Sequence, residues 1–215
     1  MVLHSLFCAV LFGVLVATRS NLHEEESNGD VDIVRFWNTS EVIWTTHTTA
    51  RARQVCKVDI EEYISQTNIT FTRSYLVKTY RTSTRWAIKR YDGFFYNHTR
   101  YNKSQEPFDA VDIKARKRSN AATEVLYYQS SDNKCAVFSV LSSRGPMLYL
   151  SYDIRIKDSY IKTRSAIESK CWQKFINVSS GRKITRLYDR RCRYVIDDKY
   201  PNPLTESNTS ITIKM

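Results

Sequence analysis

The residues able to do chemistry in this chain are five cysteines, four histidines and scattered carboxylates, and their spacing restricts what they can do. Cys8 lies inside an apolar N-terminal run, while Cys56, Cys135, Cys171 and Cys192 follow it. An even set of cysteines behind a removable leader suits disulfides rather than reactive thiols. The spacing alone leaves their pairing open. His4 falls in the leader and His23 in a polar N-terminal stretch, so His47 and His98 are too few and too far apart for zinc. No G-x-S-x-G, H-E-x-x-H, P-loop or G-x-G-x-x-G string occurs. Only 5 glycines are present, too few for phosphate-cradling loops. The chain therefore reads as a binding protein without catalytic residues, metal or cofactor.

The leader sets the compartment. Leu6 to Ala17 form an apolar stretch of twelve residues, followed by the small residues Thr18 and Ser20 around Arg19. A bilayer needs about 18 apolar residues, so residues 1–20 are expected to be a signal peptide and the mature chain secreted. Six N-x-S/T sequons, at Asn38, Asn68, Asn97, Asn102, Asn177 and Asn208, fit a glycoprotein. The formal charge of +11 becomes +10 once Arg19 is removed. Secretion argues against nucleic acid, and no further apolar run suggests a membrane partner. The basic run at Lys114, Arg116, Lys117 and Arg118 and a second grouping from Arg182 to Arg193 could serve an anionic glycan or a host protein.

These residues must be positioned by strands. Short runs alternate with period two: Val42 and Trp44; Cys56, Val58 and Ile60; Ile69 through Val77; Trp86 and Ile88; Val111 and Ile113. Residues 124–128, 135–141 and 147–152 add further strands, with hairpin turns at Asp132-Asn133 and Arg144-Gly145-Pro146. Ile167, Cys171, Phe175 and Val178 recur at helical spacing, between an S-x-x-E capping box at Ser165 and Glu168 and a terminating Gly181. About eight strands with one late helix point to a mainly β chain, an eight-stranded antiparallel barrel with the helix packed outside. The expected limits are a flexible segment over 21–29, the barrel domain over 30–196 and a loose tail over 197–215. A monomer is expected.

The ordered landmarks resemble the tick salivary lipocalins of the histamine-binding type. They are Asp30 six residues before Phe36-Trp37, Trp44 twelve residues before Cys56, Cys135-x-Val137, Cys171-x-x-Lys174-Phe175, Gly181-Arg182 and Tyr188-x-x-x-Cys192. The resemblance implies a lipocalin barrel, disulfides Cys56–Cys192 and Cys135–Cys171, and capture of a small host mediator that blunts inflammation or haemostasis. Amine-binding members carry acids in C-D-V-like and E-L-W-like motifs. Here these read Cys135-Ala136-Val137 and Met147-Leu148-Tyr149, and a third acidic position falls on His47. Glu124 matches a further acidic strand position. A protonated amine needs a paired carboxylate, so an apolar or anionic ligand such as a leukotriene or fatty acid is expected instead. Its contacts are expected among Trp44, His47, Phe71, Tyr75, Trp86, Glu124 and Tyr149.

Overall fold

The computed structural model describes residues 31–78, 84–100, 102–116, 121–144, 146–199 and 212–213. The leader, the 21–29 segment, Lys117, Arg118, Asn208 and most of the 197–215 tail lie outside the described residues. Eight strands follow one another: β1 (Ile43–Thr48), β2 (Gln54–Ile64), β3 (Asn68–Lys78), β4 (Thr84–Tyr96), β5 (Ala110–Ala115), β6 (Ala121–Gln129), β7 (Cys135–Arg144) and β8 (Met147–Lys157). Each pairs antiparallel with the next, β1 pairs β8, and so the sheet closes on itself as an eight-stranded barrel. Closure removes the exposed edges that an open sheet of this length would carry.

One end of the barrel is plugged. The short helix α1 (Ile33–Trp37) is started by Asp32, whose Oδ1 accepts from Arg35 N at 2.9 Å. Its Ile33, Phe36 and Trp37 are fully buried. Trp37 lies 4.7 Å from Phe71 and Phe36 lies 5.5 Å from Phe138, ring centre to ring centre. Gly93 lets the wall close here. A Cβ on it would stand 2.8 Å from methyl groups of both Ile69 and Val111.

The second core lies outside the barrel wall. After β8 come α2 (Asp158–Ile161), a 3-10 turn (Ala166–Glu168) and the helix α3 (Lys170–Ser179). The expected capping box therefore falls on the 3-10 turn, where Glu168 accepts from Ser165 N at 3.3 Å. The helix proper starts at Lys170 and ends where Ser180 and Gly181 turn left-handed, with φ of 38° and 71°. Cys171 and Phe175 pack on Trp44, Val137, Ile154 and Tyr188. The bonds Cys135–Cys171 and Cys56–Cys192 tie this layer to the strands, the pairing implied by the resemblance. Beyond α3, β9 (Thr185–Arg186) pairs β1, and a helix α4 (Arg191–Lys199) carries Cys192. The expected tail contributes β10 (Thr212–Ile213), which pairs with Arg85 and Thr84.

Candidate functional site in the barrel interior

The interior face of the barrel carries charge. Strand register puts Asp59 beside Arg73, and Arg73 beside Lys89. It also puts Arg155 beside Thr45 and Ala136. Arg73 on β3 donates to Asp59 through Nε at 2.6 Å and Nη2 at 2.9 Å, and through Nη1 to Glu124 on β6 at 2.9 Å. The second oxygen of Glu124 accepts from Arg155 Nη1 on β8 at 2.7 Å. Strands β3 and β6 are not neighbours, so these contacts cross the lumen. Asp153, 3.8 Å from Arg155, accepts from Lys57 Nζ at 2.8 Å. Three carboxylates and three cations thus form one buried, formally neutral network.

Burial alone would push the carboxyl of Glu124 up. The two guanidiniums facing it hold it well below the usual carboxylate range. Asp153 is likewise lowered, by Lys57 and Arg155 against the pull of burial. Lys57 is lowered because burial outweighs its single close partner. Arg73 is raised by Asp59 and Glu124, which overcome its desolvation. Each ion in the network is costly to bury and depends on the others.

Two cationic features are left over. Lys89, half-buried, places Nζ 5.6 Å from the Tyr75 ring centre and makes no ion pair among the described residues. Arg155, fully buried, spreads over the Phe138 ring at 4.2 Å. Among the described residues its Nε and Nη2 have no hydrogen-bond partner, nor do the buried Thr45 Oγ1 and Trp37 Nε1. Glu61 shares the inward register but lies past the start of β1, at the rim of the plugged end, and burial raises its carboxyl.

The residues expected to line the pocket separate into three groups. Phe71, Tyr75 and Glu124 face inward, Phe71 stacking on Tyr91 at 5.3 Å. Trp44, His47 and Trp86 are on the outer face. Trp44 donates to Asp158 at 3.0 Å and meets Tyr188. Trp86 joins the outer core with Leu76, its register partner. A bulge between Thr45 and His47 reverses the alternation, so His47 packs 4.9 Å from Trp172 of α3. Burial there lowers the His47 imidazole to about 4, with Arg186 adding to it. Tyr149 lies on the β7–β8 hairpin and is 42% exposed. The sequence reading missed Asp59, Arg73, Asp153, Arg155 and Lys57. Arg73 was nonetheless visible as the one charged residue on the apolar face of its strand.

Elsewhere, several described residues of the basic groupings are engaged. Arg116 grips Asp92 with two contacts of 2.6 Å, Arg191 pairs Asp189, and Arg193 reaches Asp158 at 3.5 Å. A cleft of about 570 Å³ lies at the plugged end, between Asp32 and Val34 of the α1 segment, Ile64 and Gln66, and Pro107. It is remote from the network.

A closed antiparallel barrel, plugged at one end and stapled to a late helix, defines a lipocalin-type binding protein. The family described as tick histamine binding protein matches residues 33–194, and the chain belongs to that family. Comparison with curated proteins gives no match. Among solved structures, japanin from Rhipicephalus appendiculatus bound to cholesterol is similar, at 7% identity and TM-score 0.46, covering 72% of this chain and 96% of that one. Lobster apocrustacyanin A1 is similar at 13% identity and TM-score 0.45, covering 77% and 84%. The siderocalin Ex-FABP is similar at 6% identity and TM-score 0.44, covering 70% and 94%.

Proposed function

We propose that the protein is a secreted carrier that sequesters a small host mediator in its barrel, and that the mediator is an apolar molecule with an anionic or hydrogen-bond-accepting head. Family membership supports small-ligand binding. One observation carries the choice of ligand: Asp59, Glu124 and Asp153, the buried interior carboxylates, are each already paired with arginine or lysine. A protonated amine would have to displace one of those cations and leave it buried without a counter-charge. Such a rearrangement costs about 3–5 kcal/mol. An acceptor group meets Lys89 Nζ, which makes no ion pair among the described residues, and the Nε and Nη2 of Arg155, which make no hydrogen bond there although Arg155 is paired with Glu124 and lies 3.8 Å from Asp153. Phe71, Tyr75 and Tyr91 offer aromatic walls to the apolar part. Capture is stoichiometric, so its effectiveness depends on slow release rather than turnover. Blunting of inflammation or haemostasis at a feeding site follows from removing the mediator.

Isothermal titration of the mature protein with histamine, serotonin, a leukotriene and a long-chain fatty acid tests this reading. The acids are expected to bind and the amines not, and Lys89→Glu should weaken the acids. Histamine binding at micromolar affinity or tighter would overturn it.

A further inference from the structure

The end of the barrel opposite α1 carries a hairpin that neither neighbouring strand covers. Strand β1 pairs β8 from Asp153 to Lys157, and β6 pairs β7 no further than Ser142. The β7–β8 ladder continues past both, through Ser143 with Leu148 to Arg144 with Met147. Apolar side chains crowd this projection. Met147 is 59% exposed, Leu148 69%, Tyr149 42% and Leu150 47%, and Leu141 beside Leu150 is also exposed. Side chains alternate across a strand, so Met147 and Tyr149 occupy one face of the hairpin and Leu148 and Leu150 the other. Met147 and Tyr149 continue the inward register of Asp153, and Leu148 and Leu150 the outward register of Ile154, so the rim presents apolar surface on both sides.

The charge around the hairpin identifies its partner. The described chain at this end, residues 49–55, 84–86, 142–143, 146–149 and 180–185, contains Arg51, Arg53, Arg85, Arg182 and Lys183 and no aspartate or glutamate, while at the end of β5 Arg116 is held by Asp92. Arg182 sits at the base of the projection, its Nη1 donating to Leu150 O at 3.0 Å. An apolar tip above a collar of lysines and arginines matches the two layers of an anionic bilayer surface, acyl chains beneath acidic headgroups. No helix among the described residues is long and apolar enough to cross a membrane. Shallow insertion of a hairpin requires none. We infer that the β7–β8 hairpin docks the open end of the barrel onto anionic lipid membrane, with Met147, Leu148, Tyr149 and Leu150 entering the interface. This surface is independent of which ligand the interior takes.

Vesicle flotation of the disulfide-intact protein tests it, with phosphatidylcholine vesicles and with the same vesicles containing phosphatidylserine. The wild type is expected to float with the anionic vesicles and not with the neutral ones. Leu148→Asp should reduce binding by about tenfold or more, as loss of the apolar contact demands. Arg182→Glu combined with Lys183→Glu should do the same at low salt. Tyr63→Asp, at an exposed site on β2 near the plugged end, should bind as wild type. If Leu148→Asp fails to fold, Leu148→Trp replaces it, and its added fluorescence should shift to the blue on anionic vesicles. Equal flotation with both vesicle types overturns the inference, as does binding unaffected by Leu148→Asp. Dimerisation that Leu148→Asp abolishes, without vesicle binding, also overturns it and assigns the hairpin to a second copy of the chain.

Discussion

Glu124 joins the two halves of the buried network. Its oxygens are divided between Arg73 and Arg155, and it has no exposed surface. Glu124→Gln keeps the shape and removes the charge, leaving two guanidiniums facing each other across a gap that neither can leave. The expected loss is about 3–5 kcal/mol, read as a lower urea midpoint at neutral pH. Glu124 and Asp153 both bind protons less readily folded than unfolded. Their contribution is therefore present above the ordinary carboxylate range and lost progressively as pH falls from that range to their lower folded values. His47 acts earlier and with the same sign. Held at about 4 against an ordinary 6.5, it stays neutral in the fold while the unfolded chain takes up a proton between those values. The urea midpoint of the wild type should fall across that window, and His47→Phe, which keeps a ring beside Trp172, should flatten that part of the curve. Little of this network was legible in the sequence. Asp59 alternates with Cys56-side apolar residues as a solvent-facing residue would, because a polar interior gives the same period-two pattern as a polar exterior.

At the scale of elements, alternation gave the strands but not always their faces. Where a helix layer covers the barrel, both faces of a strand are buried, as in β1, whose residues are nearly all inaccessible. Trp44 then reads equally well as pocket or outer core, and only contact with α3 and Tyr188 decides. The bulge at Thr46 compounds this for His47, since one extra residue exchanges the two faces. The helix was legible from its apolar spacing, although the capping box belongs to the 3-10 turn before it, whereas the disulfide pairing came from the family resemblance and not from cysteine spacing. The loop after β4 shows another limit of motif reading. Asn97 fits a sequon, yet the residue is only 2% exposed and its amide nitrogen donates to Pro107 O at 2.8 Å and Gln105 O at 3.3 Å. Its Oδ1 accepts from Arg100 N at 2.7 Å. A glycan on that nitrogen cannot coexist with the loop, whereas Asn38, Asn68, Asn102 and Asn177 are exposed. Glycopeptide mass spectrometry of protein from a glycosylating host should find Asn97 bare, and any carbohydrate confined to the exposed positions. A modified Asn97 in folded protein would mean that the loop has a different arrangement.

Across the whole molecule, among the described residues, the charged side chains of the segments at the open end are basic, whereas toward the plugged end acids and bases are mixed and paired, Glu41 with Lys134, Glu62 with Arg90, and Asp158 with Lys162 and Arg193. A surface of one sign around an entrance raises the local concentration of ligands of the opposite sign and accelerates their capture. The same field is screened beyond about 8 Å at physiological ionic strength. For an anionic ligand, the association rate should therefore fall as salt rises. The dissociation rate should change little, because it depends on contacts made inside the barrel, where screening is weak. Stopped-flow measurements over a salt series separate the two. Charge reversal at Arg51 and Arg85, on the rim and outside the buried network, should lower the association rate and its salt dependence together while leaving dissociation unchanged. A neutral apolar ligand should show neither effect. If the anion's association rate is insensitive to salt, the basic end plays no part in capture, and selection for acidic ligands must rest on Lys89 and Arg155 alone.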